Sequence, residues 1–419
     1  MRIRIYREGT GYQLTILLLS AAMIAGCQQA AASEPTATPT DQPRASSTEL
    51  TTEKLSTHPL ANAPVPTSPP AATAVMVMPT TTPAPLPVPA PTSTPAPTPA
   101  PLSMRDCAQA HSMHIGAAVA ANPLRNDPLY AATLAEYFGM VTPENAMKFG
   151  PLHPEPDRYD FADADLIVDF AQAQGMQVRG HTLVWHNQLP GWLTNKDWSK
   201  EELMAILRDH IHTVVGRYRG RVMAWDVVNE GLNDDGTYRD TIWLRTIGPE
   251  YIDLAFRWAH EADPNALLFY NDYGAEGTCQ KADAVYELVT GLMERGVPIH
   301  GVGFQMHVGL DWCPGSEGVA ANIDRLNAVG LQVHITEMDV RVPEPATEEK
   351  LQAQAAIYED MVRVCMTSRN CTAFVLWGFT DNYSWVPGFF PGYGSALIFD
   401  KDYRPKPACE ALEDAVTGN

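Results

Sequence analysis

Between residues 103 and 419 the chain alternates short apolar runs with longer amphipathic ones, and it does so eight times. Strands are predicted over 114–120, 140–145, 177–185, 221–230, 266–273, 301–307, 332–340 and 372–380. Helices are predicted over 127–138, 162–174, 201–218, 251–262, 281–295, 318–329 and 347–366, with a closing helix at 407–416. In the helix at 201–218, Leu203, Ile206, Leu207, Ile211 and Val214 fall on one side. A Val- and Trp-rich run such as 225–228 wants a sheet interior. Eight strand–helix units in succession are the arithmetic of an α/β (β/α)8 TIM barrel. An open doubly wound sheet is the competing arrangement, but no glycine-rich phosphate turn follows the first strand. A barrel keeps its active site at the C-terminal ends of its strands, so the polar residues there carry the functional question.

The first hundred residues are of another kind. Residues 1–26 carry Arg2, Arg4 and Arg7, then an apolar run at 14–25 that is too short to cross a bilayer. This reads as a signal peptide. Ile24-Ala25-Gly26-Cys27 looks like a bacterial lipobox, with Cys27 as the lipidated first residue of the mature chain. The plainer alternative is a secretory signal that happens to contain a cysteine. Residues 27–102 are dominated by Pro, Thr, Ala and Ser and cannot bury a core, so they are expected to form a disordered, extended linker. The expected domains are thus a signal peptide at 1–26, a linker at 27–102 and a catalytic barrel at 103–419. The expected location is extracellular, as a bacterial cell-surface lipoprotein that meets the membrane only through Cys27.

A formal net charge of −20 argues against nucleic acid as a partner and suits a neutral ligand. Six cysteines besides Cys27 in an oxidising compartment suggest disulfides. Cys365 and Cys371 are close enough in sequence to clip a helix-to-strand turn. Cys107 and Cys409 lie at the two ends of the barrel, which leaves Cys279 with Cys313. Six cysteines allow fifteen pairings, so this is one choice among many.

Two strand ends carry acids. Trp225-Asp226-Val227-Val228-Asn229-Glu230 ends a buried run on an amide and a carboxylate, and His334-Ile335-Thr336-Glu337-Met338-Asp339-Val340 has the same character. Strands four and seven lie on opposite sides of a barrel mouth, so Glu230 and Glu337 would face each other. Two facing carboxyls are what glycosidic-bond hydrolysis needs: one protonates the leaving oxygen while the other attacks or activates water. Other strand ends supply Glu144, Asn145 and Lys148; His181, Trp185 and Gln188; Gln305 and His307; and Trp377 and Trp385. Polar groups with several donors and acceptors, mixed with aromatic faces, suit sugars.

The motifs Thr142-Pro143-Glu144-Asn145-x-Met147-Lys148, His181-Thr182-Leu183-Val184-Trp185-His186, Trp225 to Glu230, Asn271-Asp272-Tyr273, Gly303-Phe304-Gln305-x-His307, Ile335 to Asp339 and Trp377 to Asp381 stand at consecutive strand ends. From about residue 105 to 417 the chain resembles glycoside hydrolase family 10, the retaining endo-β-1,4-xylanases. The resemblance implies that Glu230 is the general acid/base and Glu337 the nucleophile. Retention needs the two carboxyls about 5–5.5 Å apart. Glu337 must be ionised while Glu230 holds a proton, so their environments must differ. His307 would hydrogen-bond the nucleophile, Asp339 would orient that histidine, and Asn229 would bind the sugar 2-hydroxyl. Similarity to the family puts Glu144, Asn145, Lys148, His181 and Gln188 on the glycone side, and Tyr273 on the aglycone side. It lays Trp185, Trp377 and Trp385 around the cleaved sugar. The last two would crowd the hydroxymethyl group that glucose has and xylose lacks.

Ala146 and Phe149 replace a Glu and a Trp often found in the family, and Gly274 stands where Asn is frequent. These departures concern distal subsites. The implied partner is xylan or a xylo-oligosaccharide, acted on by a monomeric catalytic domain. A β-1,4-glucanase of the same mechanism and a non-catalytic glycan-binding lipoprotein are the alternatives. No cofactor or metal is expected. His210 and His212 are two apart on a helix and share no face, and Asn233-Asp234-Asp235-Gly236 lacks the later Glu of a calcium loop.

Overall fold

The computed structural model describes residues 103–418. The expected signal peptide at 1–26, the lipidation of Cys27 and the linker at 27–102 lie outside the described residues.

Eight parallel strands close on themselves. β1 (His114–Val119), β2 (Met140–Pro143), β3 (Gln177–Val184), β4 (Ala224–Asn229), β5 (Leu267–Asp272), β6 (Gly301–Phe304), β7 (Gln332–Pro343) and β8 (Cys371–Leu376) pair in sequence. β8 pairs back onto β1 through His114↔Ala373 and Ile115↔Phe374. Each strand is followed by a helix: α1 (Pro128–Tyr137), α2 (Ala162–Ala173), α3 (Lys200–Arg217), α4 (Tyr251–Ala262), α5 (Gln280–Glu294), α6 (Ser316–Ala328), α7 (Glu348–Thr367) and α8 (Pro407–Thr417). This is the expected (β/α)8 barrel. The apolar stripe read in α3 is buried at Leu203, Leu207, Ile211 and Val214, and a capping box between Ser199 and Glu202 starts the helix. Among the described residues, no helix is long and apolar enough to cross a membrane.

The barrel interior is unusually polar. Arg179, fully buried, forms a two-pronged pair with Asp226, its Nε donating at 3.1 Å. Its Nη1 meets His334 Nδ1 at 2.6 Å, and its guanidinium lies 4.7 Å from the centre of the Phe269 ring. Small residues on β6 make room for these side chains. A Cβ on Gly301 would stand 2.4 Å from Phe269, and one on Gly303 would stand 2.1 Å from Asn271 Oδ1. Neither gap admits a methyl group, so the two glycines let β5 fill the barrel with large side chains.

Several boundaries differ from the sequence reading. β4 begins at Ala224 because Arg221 and Val222 donate their amides back to Tyr218 O, closing the end of α3. The strand expected over 301–307 breaks after Phe304, where Met306 takes a φ of 65°, and resumes as His307–Gly309. β7 runs on to Pro343 because its outer half finds two further partners, His307–Gly309 and Tyr393–Gly394. Short helices at Met104–Ala110 and Ile242–Ile247, capped by Ser103 and Thr241, carry too little periodicity to be seen in the sequence.

Cys365 and Cys371 form the expected disulfide, tying the end of α7 to the start of β8. The other two pairings are corrected. Cys279, Cys313 and Cys409 carry free thiols, so neither the Cys107–Cys409 nor the Cys279–Cys313 bridge is formed. Cys279 instead caps α5, accepting from Ala282 N while its thiol donates to Gly274 O. Cys409 is buried on α8, and burial pushes its thiol well above the usual range.

Candidate active site

β4 delivers Asn229 and then turns sharply. Glu230 has a φ of 55°, a left-handed conformation that costs a non-glycine residue about 1–3 kcal/mol. The neighbours hold it there. Glu230 N donates to Asn271 O at 2.9 Å, and Arg239 Nε donates to Glu230 O at 2.9 Å. The chain therefore leaves the barrel with the Glu230 side chain turned back over the strand ends.

A layer of amides spans the mouth. Asn271 Nδ2 donates to Glu337 Oε1 at 2.6 Å and to Asn229 Oδ1 at 2.8 Å. Gln305 Nε2 donates to Asn229 Oδ1 at 3.1 Å and to Glu230 Oε1 at 3.2 Å. Asn229 Nδ2 reaches Glu230 Oε1 at 3.3 Å. Thr336 Oγ1 donates to Asn271 Oδ1 at 2.7 Å and fixes which way that amide faces. Both carboxyls thus grip one hydrogen-bonded sheet of side chains, Glu337 from β7 and Glu230 from β4.

His307 stands between two acids. Its Nε2 lies 3.3 Å from Glu337 Oε2 and its Nδ1 lies 2.9 Å from Asp339 Oδ2. The register His307↔Asp339 brings the pair together, and the Trp385 indole donates to the same Asp339 oxygen at 2.7 Å. Burial lowers the His307 pKa, but Asp339 and Glu337 outweigh it and raise it to about 10. At neutral pH the ring is an imidazolium that donates to both carboxylates. A histidine whose pKa rises on folding stabilises the fold fully below its unfolded value of about 6.5, and that contribution is lost as pH climbs to about 10. The melting-temperature difference between wild type and His307→Gln should accordingly be larger at pH 6 than at pH 10. A difference that stays constant between the two would show that the imidazolium contributes nothing.

Glu230 departs from the sequence expectation. Burial raises its pKa, but the Arg239 guanidinium and the Gln305 amide N–H favour the ionised form, and the carboxyl rests below its usual range. His186 Nε2 is 4.0 Å from Glu230 Oε2, and burial brings His186 itself down to about 4. In the ligand-free site Glu230 is thus set up as a carboxylate rather than an acid holding its proton.

Around these groups lie the remaining predicted residues. Lys148 Nζ donates to Asn145 Oδ1 at 2.9 Å and sits 5.0 Å from the Trp185 ring centre and 5.8 Å from that of Trp377. Gln188 donates to the same Asn145 oxygen at 3.3 Å, and Asn145 donates to Glu144 at 3.2 Å. Burial depresses Lys148, against the pull of Glu337, Glu144 and Glu230. His181 Nδ1 donates to Asp226 at 3.0 Å, stands 3.9 Å from Glu337 Oε1 and meets the Trp377 ring edge to face at 5.2 Å. The Trp385 and His307 rings are 5.0 Å apart. On the other side, Tyr273 accepts from Arg239 at 3.0 Å, and the Lys281 ammonium lies 3.6 Å from its ring centre. Burial lifts Asp272, which pairs with Lys281 at 2.9 Å, to about 6.

The residues expected to act on or bind the sugar therefore lie at this mouth or contact a residue that does. Asn271, Thr336, His186 and Arg239 had been given no role. Asn271, Thr336 and His186 stand inside the quoted motifs, but only the three-dimensional register reveals what their side chains touch. Among the described residues, no group of His, Cys, Asp and Glu is placed to hold a metal ion.

Comparison with known proteins accords with this geometry. The family profile described as glycosyl hydrolase family 10 matches residues 103–415. The chain is 49% identical over 317 residues to endo-1,4-beta-xylanase B of Thermotoga neapolitana, covering 74% of this chain and 90% of that one. It is 42% identical over 277 residues to endo-1,4-beta-xylanase A of Fusarium oxysporum, covering 64% and 85%. Among solved structures, xylanase 10B from Thermotoga petrophila RKU-1 in complex with xylobiose superposes with a TM-score of 0.75 at 46% identity, covering 77% of this chain and 99% of that one. The native xylanase 10B from Thermotoga maritima gives 0.74 at 47%, covering 76% and 98%. With three quarters of its length matched, and with the acids, amides and aromatic rings gathered at one barrel mouth, this chain belongs to glycosyl hydrolase family 10.

Proposed function

We propose that the protein is a retaining endo-1,4-β-xylanase in which Glu337 is the nucleophile and Glu230 the general acid/base. The observation that carries this reading is the shared amide layer, which ties both carboxyls to one hydrogen-bonded network at the mouth. Relatives named as endo-1,4-beta-xylanases and a similar structure holding xylobiose support xylan as the substrate class.

The reaction runs in two displacements. Glu337 attacks the anomeric carbon as the glycosidic C–O bond breaks, and the departing oxygen takes a proton from Glu230. Water then attacks the glycosyl ester, giving its proton to Glu230 and releasing Glu337. Glu230 rests ionised when the site is empty, so it must acquire its proton as the sugar displaces water, which strengthens the burial that already raises it. The imidazolium of His307 and the Asn271 amide hold the Glu337 carboxylate in place for attack. Asn229 has its oxygen fully committed to Asn271 and Gln305, which leaves its Nδ2 as the group to meet the sugar 2-hydroxyl. Trp377 and Trp385 would exclude a hydroxymethyl group, while Lys148, Asn145, Glu144, Gln188 and His181 bind the glycone and Tyr273 the aglycone. Export as a lipoprotein anchored at Cys27, with a monomeric barrel beyond a linker, is the arrangement that the N-terminal sequence favours.

Turnover of an aryl β-xylobioside against the matching aryl β-cellobioside tests the substrate class. The xyloside should be preferred on the order of 100-fold or more in kcat/KM, because an obstructed hydroxymethyl group has no alternative site. Equal turnover would favour a β-1,4-glucanase, and xylan binding without turnover of either would favour a glycan-binding module. Proton NMR of the first product should show the β-anomer.

A further inference from the structure

Glu276 lies outside the catalytic layer, in the loop between β5 and α5, and is only 2% exposed. A carboxylate is costly to bury without a partner of opposite charge or a set of donors. One of its oxygens, Oε1, accepts Gly274 N at 3.1 Å and Met306 N at 3.1 Å. The other, Oε2, is buried with no hydrogen-bond partner. Burial raises the pKa of the group. A carboxyl kept in so unfavourable a setting must be holding something in exchange.

What it holds is the exit of β6. Met306 is the left-handed residue at which that strand breaks, with a φ of 65° and a fully buried side chain. Methionine enters that region only when its surroundings require it. Its neighbours are Gln305, which donates to Glu230 and Asn229, and His307, which donates to Glu337 and Asp339. A rotation at Met306 swings one of those side chains relative to the other. The same oxygen grips Gly274, next to Tyr273, so one atom ties the β5 exit to the β6 exit. Glu276 is itself fixed from outside the barrel. Asn322 on α6 donates to Ala275 O at 2.8 Å and to Glu276 O at 3.2 Å, and Arg325 donates to Asn322 Oδ1 at 2.7 Å.

We propose that Glu276 is a positioning residue, whose carboxylate sets the Met306 backbone so that Gln305 and His307 meet Glu230 and Glu337 together. The proposal rests on the roles given to those two acids above. It acts through the geometry of the transition state rather than through direct sugar contact, because Glu276 is buried and holds Met306 and Gly274 by their backbone amides alone.

The test measures kcat and KM on xylohexaose for wild type and three variants, with thermal melting as the check on folding. Glu276→Gln keeps an oxygen acceptor of the same reach and should stay within threefold of wild type. Glu276→Met keeps the volume but offers no acceptor, and should lose at least 30-fold in kcat with KM within threefold. Should Glu276→Met fail to fold, Glu276→Asp decides the matter. It keeps the acid but withdraws the acceptor by one methylene, and should lose at least tenfold in kcat with KM again unchanged. A folded Met or Asp variant with wild-type kcat, or a Gln variant as impaired as the Met variant, would overturn the proposal. Failure of the xylanase reading is a separate outcome, seen as inactivity of wild type itself on xylohexaose.

Discussion

Glu337→Gln is expected to reduce kcat on xylan by about 10⁴-fold or more, the usual scale when a covalent nucleophile is removed. The substitution is nearly isosteric. Its amide oxygen can still accept from Asn271 Nδ2, so the layer beneath the mouth should persist. The amide nitrogen then faces His307, and two donors meet where an imidazolium once met a carboxylate. The His307 pKa should fall as a result, though Asp339, the stronger of the two acids that raise it, remains. The release of reducing ends together with a thermal melt checks the prediction. A folded variant with more than a tenth of wild-type activity would remove Glu337 from the chemistry.

Glu230→Ala should behave differently with different leaving groups. On xylan the departing sugar hydroxyl needs a proton, and loss of general acid catalysis should cost about 10²–10⁴-fold. On 2,4-dinitrophenyl β-xylobioside the leaving phenolate needs none, so the first displacement should remain fast. The second displacement still lacks its base, and the glycosyl ester on Glu337 should accumulate. The expected record is a burst of dinitrophenolate equal to the enzyme concentration, followed by slow turnover and a lowered KM. Equal losses on both substrates with no burst would show that Glu230 is not the acid/base.

The barrel was legible because its strands are buried on both faces and its helices on one, so hydrophobic spacing alone separates them. Glu230 and Glu337 were legible as candidates because each stands at or near the end of a buried run inside an extended motif. Side-chain direction was less so. Asn271 is one residue of a strand in the sequence, and its tie to both Asn229 and Glu337 depends on pairing from β4 through β7. The break at Met306 carries no glycine or proline to announce it, since a distant carboxylate imposes it. The state of Glu230 depends on Arg239 and Gln305, which reach it from beyond the ends of β4 and β6. The cysteines illustrate the reverse. An even number in a chain expected to be exported invites pairing, yet Cys279 finds a backbone partner instead of a sulfur one.

The fully buried Arg179 and its partners lie below the mouth and answer to acidity quite differently from it. Guanidinium keeps its charge throughout the range in which proteins survive. Burial opposes the ionisation of Asp226, but Arg179 and His181 prevail and hold it below the usual carboxylate range. The Arg179–Asp226 pair should therefore keep both its charges from mildly acidic to alkaline solution, and only strong acid should loosen it. Rate changes with pH across the working range therefore arise nearer the mouth, above an ion pair whose charges stay fixed.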